Sequence, residues 1–255
     1  MFAQGPAGRF GPMGRGWVGR ASQTPVTGAP YSASQTVSSQ QVLENGNQIS
    51  HTQQSKVYRD SQGRTRTEQT VTPPASSGKQ PYTRVTIADP VAGYRYMLNS
   101  STLTAIQMPL PAPKTSPSTG TPSPRPRPSG VQVTTTSLPS QTINGVLASG
   151  TTTTQTIPAG AIGNAQAIQT VRTTWISTAL QVPVEIKTSD PRSGTTDMEL
   201  TGIVQGEPDG SLFKVPSNYT IKTGGPGMGG PGMGGAMGGP GPGAMMMRER
   251  MRQGQ

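Results

Sequence analysis

The sequence predicts an all-β fold: a single curved antiparallel sheet or half-barrel of about 9–11 strands, joined by hairpins and with little helix. Three observations predict it. Segments that alternate apolar residues with Thr, Gln or charged residues are separated by short turns. The phrase Asp-Pro-x-x-Gly occurs at 89–93 and again at 190–194, and combines a capping Asp, a Pro with preset φ and a Gly suited to positive φ. No segment carries apolar residues at helical spacing over three turns.

Residues 31–110 are predicted to form the first half of the sheet. The expected strands are 31–43, 48–59, 64–72, 82–88, 94–98 and 103–108. The first three are separated by turn-forming residues, Glu44-Asn45-Gly46-Asn47 and Asp60-Ser61-Gln62-Gly63, and the first Asp-Pro turn lies between the fourth and fifth. This order is typical of a meander, in which neighbours in sequence pair in space.

The Pro-rich segment 111–130 is either a linker between two domains or an insertion within one sheet. We favour one sheet, because neither half alone has enough large apolar residues for a stable core. Residues 131–221 are predicted to form the second half, with one helical turn around Ser211-Leu212-Phe213. Its expected strands are 131–138, 142–150, 151–157, 167–177, 182–188, 195–205 and a closing segment at 215–221.

The two ends of the chain are predicted to be disordered. Residues 1–30 are rich in Gly, Pro and Arg, and residues 222–255 are rich in Gly, Met and Pro. Nine of the ten formal net positive charges fall in these ends and in 111–130, while the rest of the chain holds 11 basic and 10 acidic residues. This distribution argues against specific nucleic-acid binding, which uses basic residues clustered on a folded face. It is consistent with weak contact of the tails with anionic lipid or polysaccharide, through Arg9, Arg15, Arg20, Arg248, Arg250 and Arg252.

The sequence lacks the residues that several kinds of site would need. There is no cysteine, so disulfides, thiolate nucleophiles and Cys-ligated zinc are excluded, and no run of 18 apolar residues exists. The single histidine, His51, lies in a predicted strand without the partners of a metal site or a catalytic triad. Asp197 and Glu199 are spaced to face the same side of a strand, but their flanks fit an ordinary exposed face. We therefore expect no catalytic residue, no metal and no cofactor.

Two features of the ends leave alternatives open. The start, Met1-Phe2-Ala3-Gln4, is similar to the last residues of a bacterial signal peptide, so we expect a periplasmic or secreted protein whose signal peptide is missing upstream of this start. The tail holds seven of the twelve methionines, whose thioethers could ligate Cu(I); a flexible tail is the alternative interpretation.

Several motifs in order resemble an uncharacterised family of exported bacterial all-β proteins. They are Tyr58-Arg59-Asp60-x-x-Gly63-Arg64-x-Arg66, residues 157–164, Thr174-Trp175-Ile176-Ser177, residues 187–192 and Glu207-Pro208-Asp209-x-Ser211-Leu212-Phe213. The closing pattern, a Trp strand, a hairpin and then Pro-Asp-x-Ser-Leu-Phe, is also similar to the end of lipoprotein-carrier (Lol-type) half-barrels. Typical carriers have helices that plug the concave face, and this sequence predicts none.

The resemblance and the composition together suggest a non-enzymatic, extracytoplasmic binding protein. Its concave sheet face would hold an apolar or polymeric ligand, with Trp175, Phe213, Tyr58 and Tyr96 as candidate contacts. The alternative is a structural or adhesive envelope scaffold whose basic tails contact anionic surfaces. Arg59, Arg64 and Arg66 could form a small anion-binding patch with Tyr58, although cross-strand pairing with Asp60 and Glu68 explains them more simply.

Overall fold

The computed structural model describes residues 25–111 and 130–224, which form one curved sheet of twelve strands that does not close into a barrel. The predicted all-β fold is confirmed, with one strand more than the upper end of the expected range. The strands are β1 (Tyr31–Val42), β2 (Gln48–Arg59), β3 (Thr65–Val71), β4 (Tyr82–Asp89), β5 (Tyr94–Asn99), β6 (Thr104–Pro109), β7 (Gln132–Ile143), β8 (Val146–Ile157), β9 (Ile168–Ser177), β10 (Pro183–Asp190), β11 (Gly194–Gln205) and β12 (Thr220–Thr223).

The strand order is β12-β6-β5-β4-β3-β2-β1-β11-β10-β9-β8-β7. Each half is a meander, and the halves join where β1 pairs with β11 at the centre of the sheet. The strands before and after the Pro-rich segment thus belong to one sheet, as the predicted fold class requires. Residues 1–24, 112–129 and 225–255 lie outside the described residues. They include the Pro-rich segment, the six arginines of the tails and the Met-rich repeat, so the predictions for these segments stay predictions.

Two details of the strands differ from the prediction. The break expected near 138–142 is a shift of register within β7, between Leu138 and Gln141, and the chain reverses instead at Asn144-Gly145, both with positive φ. β7 and β8 are therefore one long hairpin rather than three short strands. β12 pairs with β6 in parallel. After β11, at the centre of the sheet, the chain crosses to the edge at β6 and adds β12 there. Among the described residues, no helix is long and apolar enough to cross a membrane.

Both Asp-Pro turns reverse the chain as predicted. In the first, the Asp89 carboxylate accepts hydrogen bonds from the backbone N–H of Val91 and of Ala92, each at 2.9 Å. In the second, Asp190 accepts one from the N–H of Arg192 at 2.9 Å. The closing glycines of the two turns have φ of +77° and +85°, in the left-handed region that favours glycine.

The register assigns the core residues to opposite faces of the sheet. Residues directly opposite each other in antiparallel strands project to the same side, so the row Ala33, Val57, Thr67, Thr86, Met97 and Ile106 shares one face. Tyr31 shares that face, and the loop residue Leu180 packs in the same core cluster. The remaining buried members of that cluster are Ile143, Val146, Ala148, Trp175, Val184 and Leu200.

A second core cluster lies on the other face of β4–β6, because Val85 and Ile87 alternate with Thr86. Val215 and Tyr219 pack against it. They belong to residues 207–219, which we call the strap. The strap contains the 3-10 helix Gly210–Phe213, as predicted, and Asp209 begins it by accepting the N–H of Ser211 at 2.8 Å.

Candidate ligand-binding face

The four aromatic residues predicted to contact ligand do not come together. Trp175 is buried in the first core cluster and packs on Gly150, where an added Cβ would lie 2.5 Å from the indole ring. Phe213 is 3% exposed in the strap, under the guanidinium of Arg64 at 5.3 Å. Tyr58 and Tyr96 are half-buried and share the sheet face that the strap covers, in the same row as Ile87. Their role in ligand binding stays a prediction.

Arg59 fixes the end of the sheet instead of forming an anion patch. Its side chain donates to the carbonyl of Ala29 at 2.7 and 2.9 Å and to that of Leu180, and it lies 4.9 Å over the Tyr31 ring. Burial lowers the pKa of Arg59 and raises the pKa of Tyr31, because each charged form loses water. These contacts hold the segment before β1 and the β9–β10 loop over the same part of the core.

The other two arginines of this motif pair with the predicted acids, but within the β2–β3 turn and along β3 rather than across strands as predicted. Arg64 Nε lies 2.5 Å from the Asp60 carboxylate, and Arg66 Nε lies 2.7 Å from Glu68. Arg66 also donates to the carbonyl of Leu212 at 2.7 Å, which ties the strap to β3. Burial, helped by Glu68, raises the pKa of Tyr58. Each group therefore already serves the fold.

The second Asp-Pro turn borders a shallow cavity of about 300 Å³. Arg192 donates to both carboxylate oxygens of Asp190, at 2.9 and 2.7 Å, and Thr170 donates to one of them at 3.0 Å. The bonds from Arg192 lower the pKa of Asp190 to about 2. A carboxylate held in this way is a stable anion at neutral pH and a poor proton acceptor, so the turn is structural.

Asp197 lines a shallow cavity of about 250 Å³ with Lys187, and Glu199 contacts strand neighbours. Asp197 lies opposite Lys187, and Glu199 lies opposite Glu185. Lys187 contacts Glu185 at 2.5 Å, and hydrogen bonding with this acid raises the pKa of Lys187. Glu199 accepts a hydrogen bond from the Asn144 amide at 2.9 Å. Within the two described ranges no group of three His, Asp or Glu side chains could hold a metal ion, and His51 is exposed on β2.

One apolar surface stands apart from both core clusters. Met97, Ile106 and Met108 are half-buried and continue the face of Ala33 and Val57 toward the β6 edge. Thr67 and Thr86 link them to the core along the same row. We call the surface formed by Thr67, Thr86, Met97, Ile106 and Met108 the methionine face. Methionine side chains are flexible and polarisable, so such a surface adapts to the shape of an apolar ligand.

All formal charges around the methionine face are positive. Arg84 and Arg95 flank its row on β4 and β5, and Lys222 lies opposite Ile106 on β12. The acids of β1–β6, Glu68 and Asp89, point to the other face, because they lie opposite Val85 and Tyr94. This face of the described strands β1–β6 and β12 therefore carries no carboxylate. The sequence contains the alternation that produces this surface, but only the register shows which face each strand contributes.

No protein-family model and no curated protein matches this sequence. Among solved structures, an uncharacterized conserved protein from Thermus thermophilus is similar, at 13% identity over 76% of this chain and 90% of that chain, with a TM-score of 0.41. LprF from Mycobacterium bovis is 14% identical over 75% and 90%, with a TM-score of 0.33. A LolA superfamily protein from Nitrosomonas europaea is 8% identical over 72% and 90%, with a TM-score of 0.30.

Two of these neighbours, the uncharacterized protein and the LolA superfamily protein, are of the kinds that the sequence motifs suggested.

Proposed function

We propose that this protein is a non-enzymatic, extracytoplasmic binding protein that holds an amphiphile with an apolar chain and an acidic head group on its methionine face. The observation that carries the proposal is the row that leaves the packed core at Ala33 and Val57, passes through Thr67 and Thr86, and ends in the apolar, half-buried Met97 and Ile106. The sheet thus has a surface that its own described core does not use.

The apolar part of the ligand follows from the side chains. Half-buried Met and Ile side chains retain surface that a hydrocarbon chain can cover, at about 25 cal/mol per Å² of apolar area removed from water. Thr67 and Thr86 contribute methyl groups to the same row. A flat polar polymer gains less from such a row, so an acyl chain is the better match.

The acidic head group follows from the charges. Arg84, Arg95 and Lys222 surround the face, and the acids of these strands point away. A carboxylate or phosphate at the end of an acyl chain would gain favourable electrostatic interactions there, whereas a cationic head group would be repelled. The scaffold alternative relies on the tails, most of which lie outside the described residues.

A displacement assay tests the apolar contact. Dodecanoate and dodecanol are titrated against the protein carrying the neutral fluorescent probe N-phenylnaphthylamine. In a variant that combines Met97→Asn and Ile106→Asn, we expect both ligands to bind about 30-fold more weakly, from about 2 kcal/mol of lost apolar contact. Ile221→Asn is the matched control, because Ile221 is an exposed apolar residue whose register places it on the opposite face.

A second pair of substitutions tests the charges. Arg84→Gln with Lys222→Gln is expected to weaken dodecanoate binding about five- to tenfold and to leave dodecanol binding unchanged, since only the acid carries a charge. Added salt should weaken dodecanoate binding in the same selective way. If the Met97 and Ile106 variant binds both ligands like the parent while remaining folded by circular dichroism, the proposal is wrong.

A further inference from the structure

The strand β7 lies at one edge of the sheet and is unusually long, exposed and uncharged for an edge strand. It is twelve residues long, ten of them are exposed, and β8 is its only strand partner in the described chain. An edge strand presents unpaired backbone N–H and C=O groups along one side, and proteins usually protect such edges with charges, prolines or very short strands. β7 contains no charged residue.

The other edge of the sheet has protection that the first seven residues of β7, 132–138, lack. β12 has four residues, Thr220–Thr223, and carries the charged Lys222. Pairing of β7 with β12 of another molecule is therefore limited to a few residues, which disfavours open, head-to-tail assembly. What remains is a symmetric contact in which β7 meets β7.

The regular part of β7 has the length and composition for such a contact. Residues Gln132–Leu138 keep unbroken register with β8, and the register shift after Leu138, together with Pro139, ends that stretch. In an antiparallel pair of two copies, only the register centred on Thr135 pairs all seven of these residues. It sets Thr134 opposite Thr136 of the other copy and Val133 opposite Ser137, with no charge facing a charge.

We propose that the protein forms a two-fold symmetric dimer through antiparallel pairing of β7, centred on Thr135, which continues the sheet from one copy into the next. Threonine pairs across antiparallel strands are favourable, and the backbone hydrogen bonds of the new strand pair supply further stabilisation. A charged peptide partner would find no complementary charge on β7, so the second copy is the occupant that this strand fits. This inference does not depend on the proposed ligand.

A charge-swap experiment tests both the contact and its register. Thr135→Lys and Thr135→Glu each place two like charges at the symmetry axis, so each variant alone is expected to dimerise at least tenfold more weakly by sedimentation over about a hundredfold range of concentration. A mixture of the two variants places Lys opposite Glu and is expected to recover dimers. Thr135 is exposed and lies 3.5 Å, hydroxyl to hydroxyl, from Thr153 on β8, so both charges can project into solvent.

Because the chain has no cysteine, a single introduced thiol gives an independent readout. Opposite residues in an antiparallel pair have Cα atoms about 4.5–5.5 Å apart, within the range that a disulfide spans. Thr135→Cys is expected to form a disulfide-linked dimer on mild oxidation, whereas Thr153→Cys, one strand from the edge, is not.

Three results would overturn the proposal. One is a protein that sediments as a monomer at every concentration, which would mean that β7 is covered by another segment of the chain or stays exposed to water. Another is dimerisation that neither charged variant weakens. The third is association that disappears in high salt, which would indicate contacts made by charged groups instead of an uncharged strand edge.

Discussion

The two Asp-Pro turns allow a matched test of why their closing glycines are needed. Gly93 and Gly194 occupy equivalent positions, with φ of +77° and +85°. A Cβ added at Gly93 would have no neighbour within 4 Å. A Cβ added at Gly194 would lie 2.0 Å from the Gln40 carbonyl oxygen and 2.9 Å from the Gln41 Cα atom, both in the backbone of β1. The first glycine is thus required for conformation alone, and the second for conformation and space.

The expected magnitudes follow from these contacts. Gly93→Ala should lower the free energy of unfolding by about 1–2 kcal/mol, the cost of a left-handed conformation for an L-residue. Gly194→Ala should cost an additional ~1–3 kcal/mol, because the end of β1 must move to relieve the contact with the new methyl group. The measurement is urea unfolding followed by circular dichroism, with unchanged slopes as the test that the two variants unfold in the same way.

Asparagine at the same positions separates the two causes. Asn tolerates the left-handed conformation better than Ala but still carries a Cβ atom. Gly93→Asn should therefore recover most of the stability that Gly93→Ala loses, whereas Gly194→Asn should recover little. Equal losses for the two alanine variants, or full recovery by Asn at 194, would show that β1 does not approach the second turn as closely as the structure has it.

Two further predictions concern stability. Phe213→Ala removes the buried ring beneath Arg64 and should lower the free energy of unfolding, measured by urea denaturation, by about 3–5 kcal/mol. The control Ile221→Ala, at an exposed site, should change it by less than ~0.5 kcal/mol. Similar values for the two variants would refute the stabilising role of the strap. Because the pKa of Asp190 is about 2 in the folded protein against 3.8 ordinarily, its stabilisation is present above pH 3.8 and lost as pH falls toward 2. Between roughly pH 5 and 7 the free energy of unfolding of the parent should therefore exceed that of Asp190→Asn by a constant amount of up to about 2 kcal/mol. The difference should shrink below about pH 4. A difference that does not change with pH would contradict the pairing of Asp190 with Arg192.

The turns and the strand periods were readable from the sequence because they depend on neighbours along the chain. Asp89, Asp190 and their glycines bond to backbone atoms within a few residues, and an alternating pattern needs only its own strand. The helical turn before Phe213 is equally local, since Asp209 caps it. The missed hairpin turn at Asn144-Gly145 was a local signal too, but we placed it inside one expected strand, 142–150, whereas β7 ends directly before it.

The candidate site was not readable in the same way. Of the four aromatic residues that the sequence suggests, Trp175 is buried in the first core cluster, Phe213 is buried within the strap, and Tyr96 packs against the second cluster. Tyr58 is half-buried on the same face as Tyr96. Met97 and Ile106 lie opposite each other because β5 and β6 pair, and they continue the face of the core only because the strands from β1 to β6 keep their registers. A slip of one residue in any of these strands would turn its side chains to the other face.

The sequence by itself thus determined that the chain contains alternating strands that reverse at glycine turns, and that nine of its ten net charges fall in the two ends and the Pro-rich segment, because these properties follow from local backbone preferences and composition. Only the tertiary structure decided that the two halves join through β1 and β11, that the strap covers one face, and that Met97, Ile106 and Met108 with basic neighbours remain on the other. The physical reason is that strand pairing joins residues far apart in the chain, and no local pattern specifies the partner or the register of an edge.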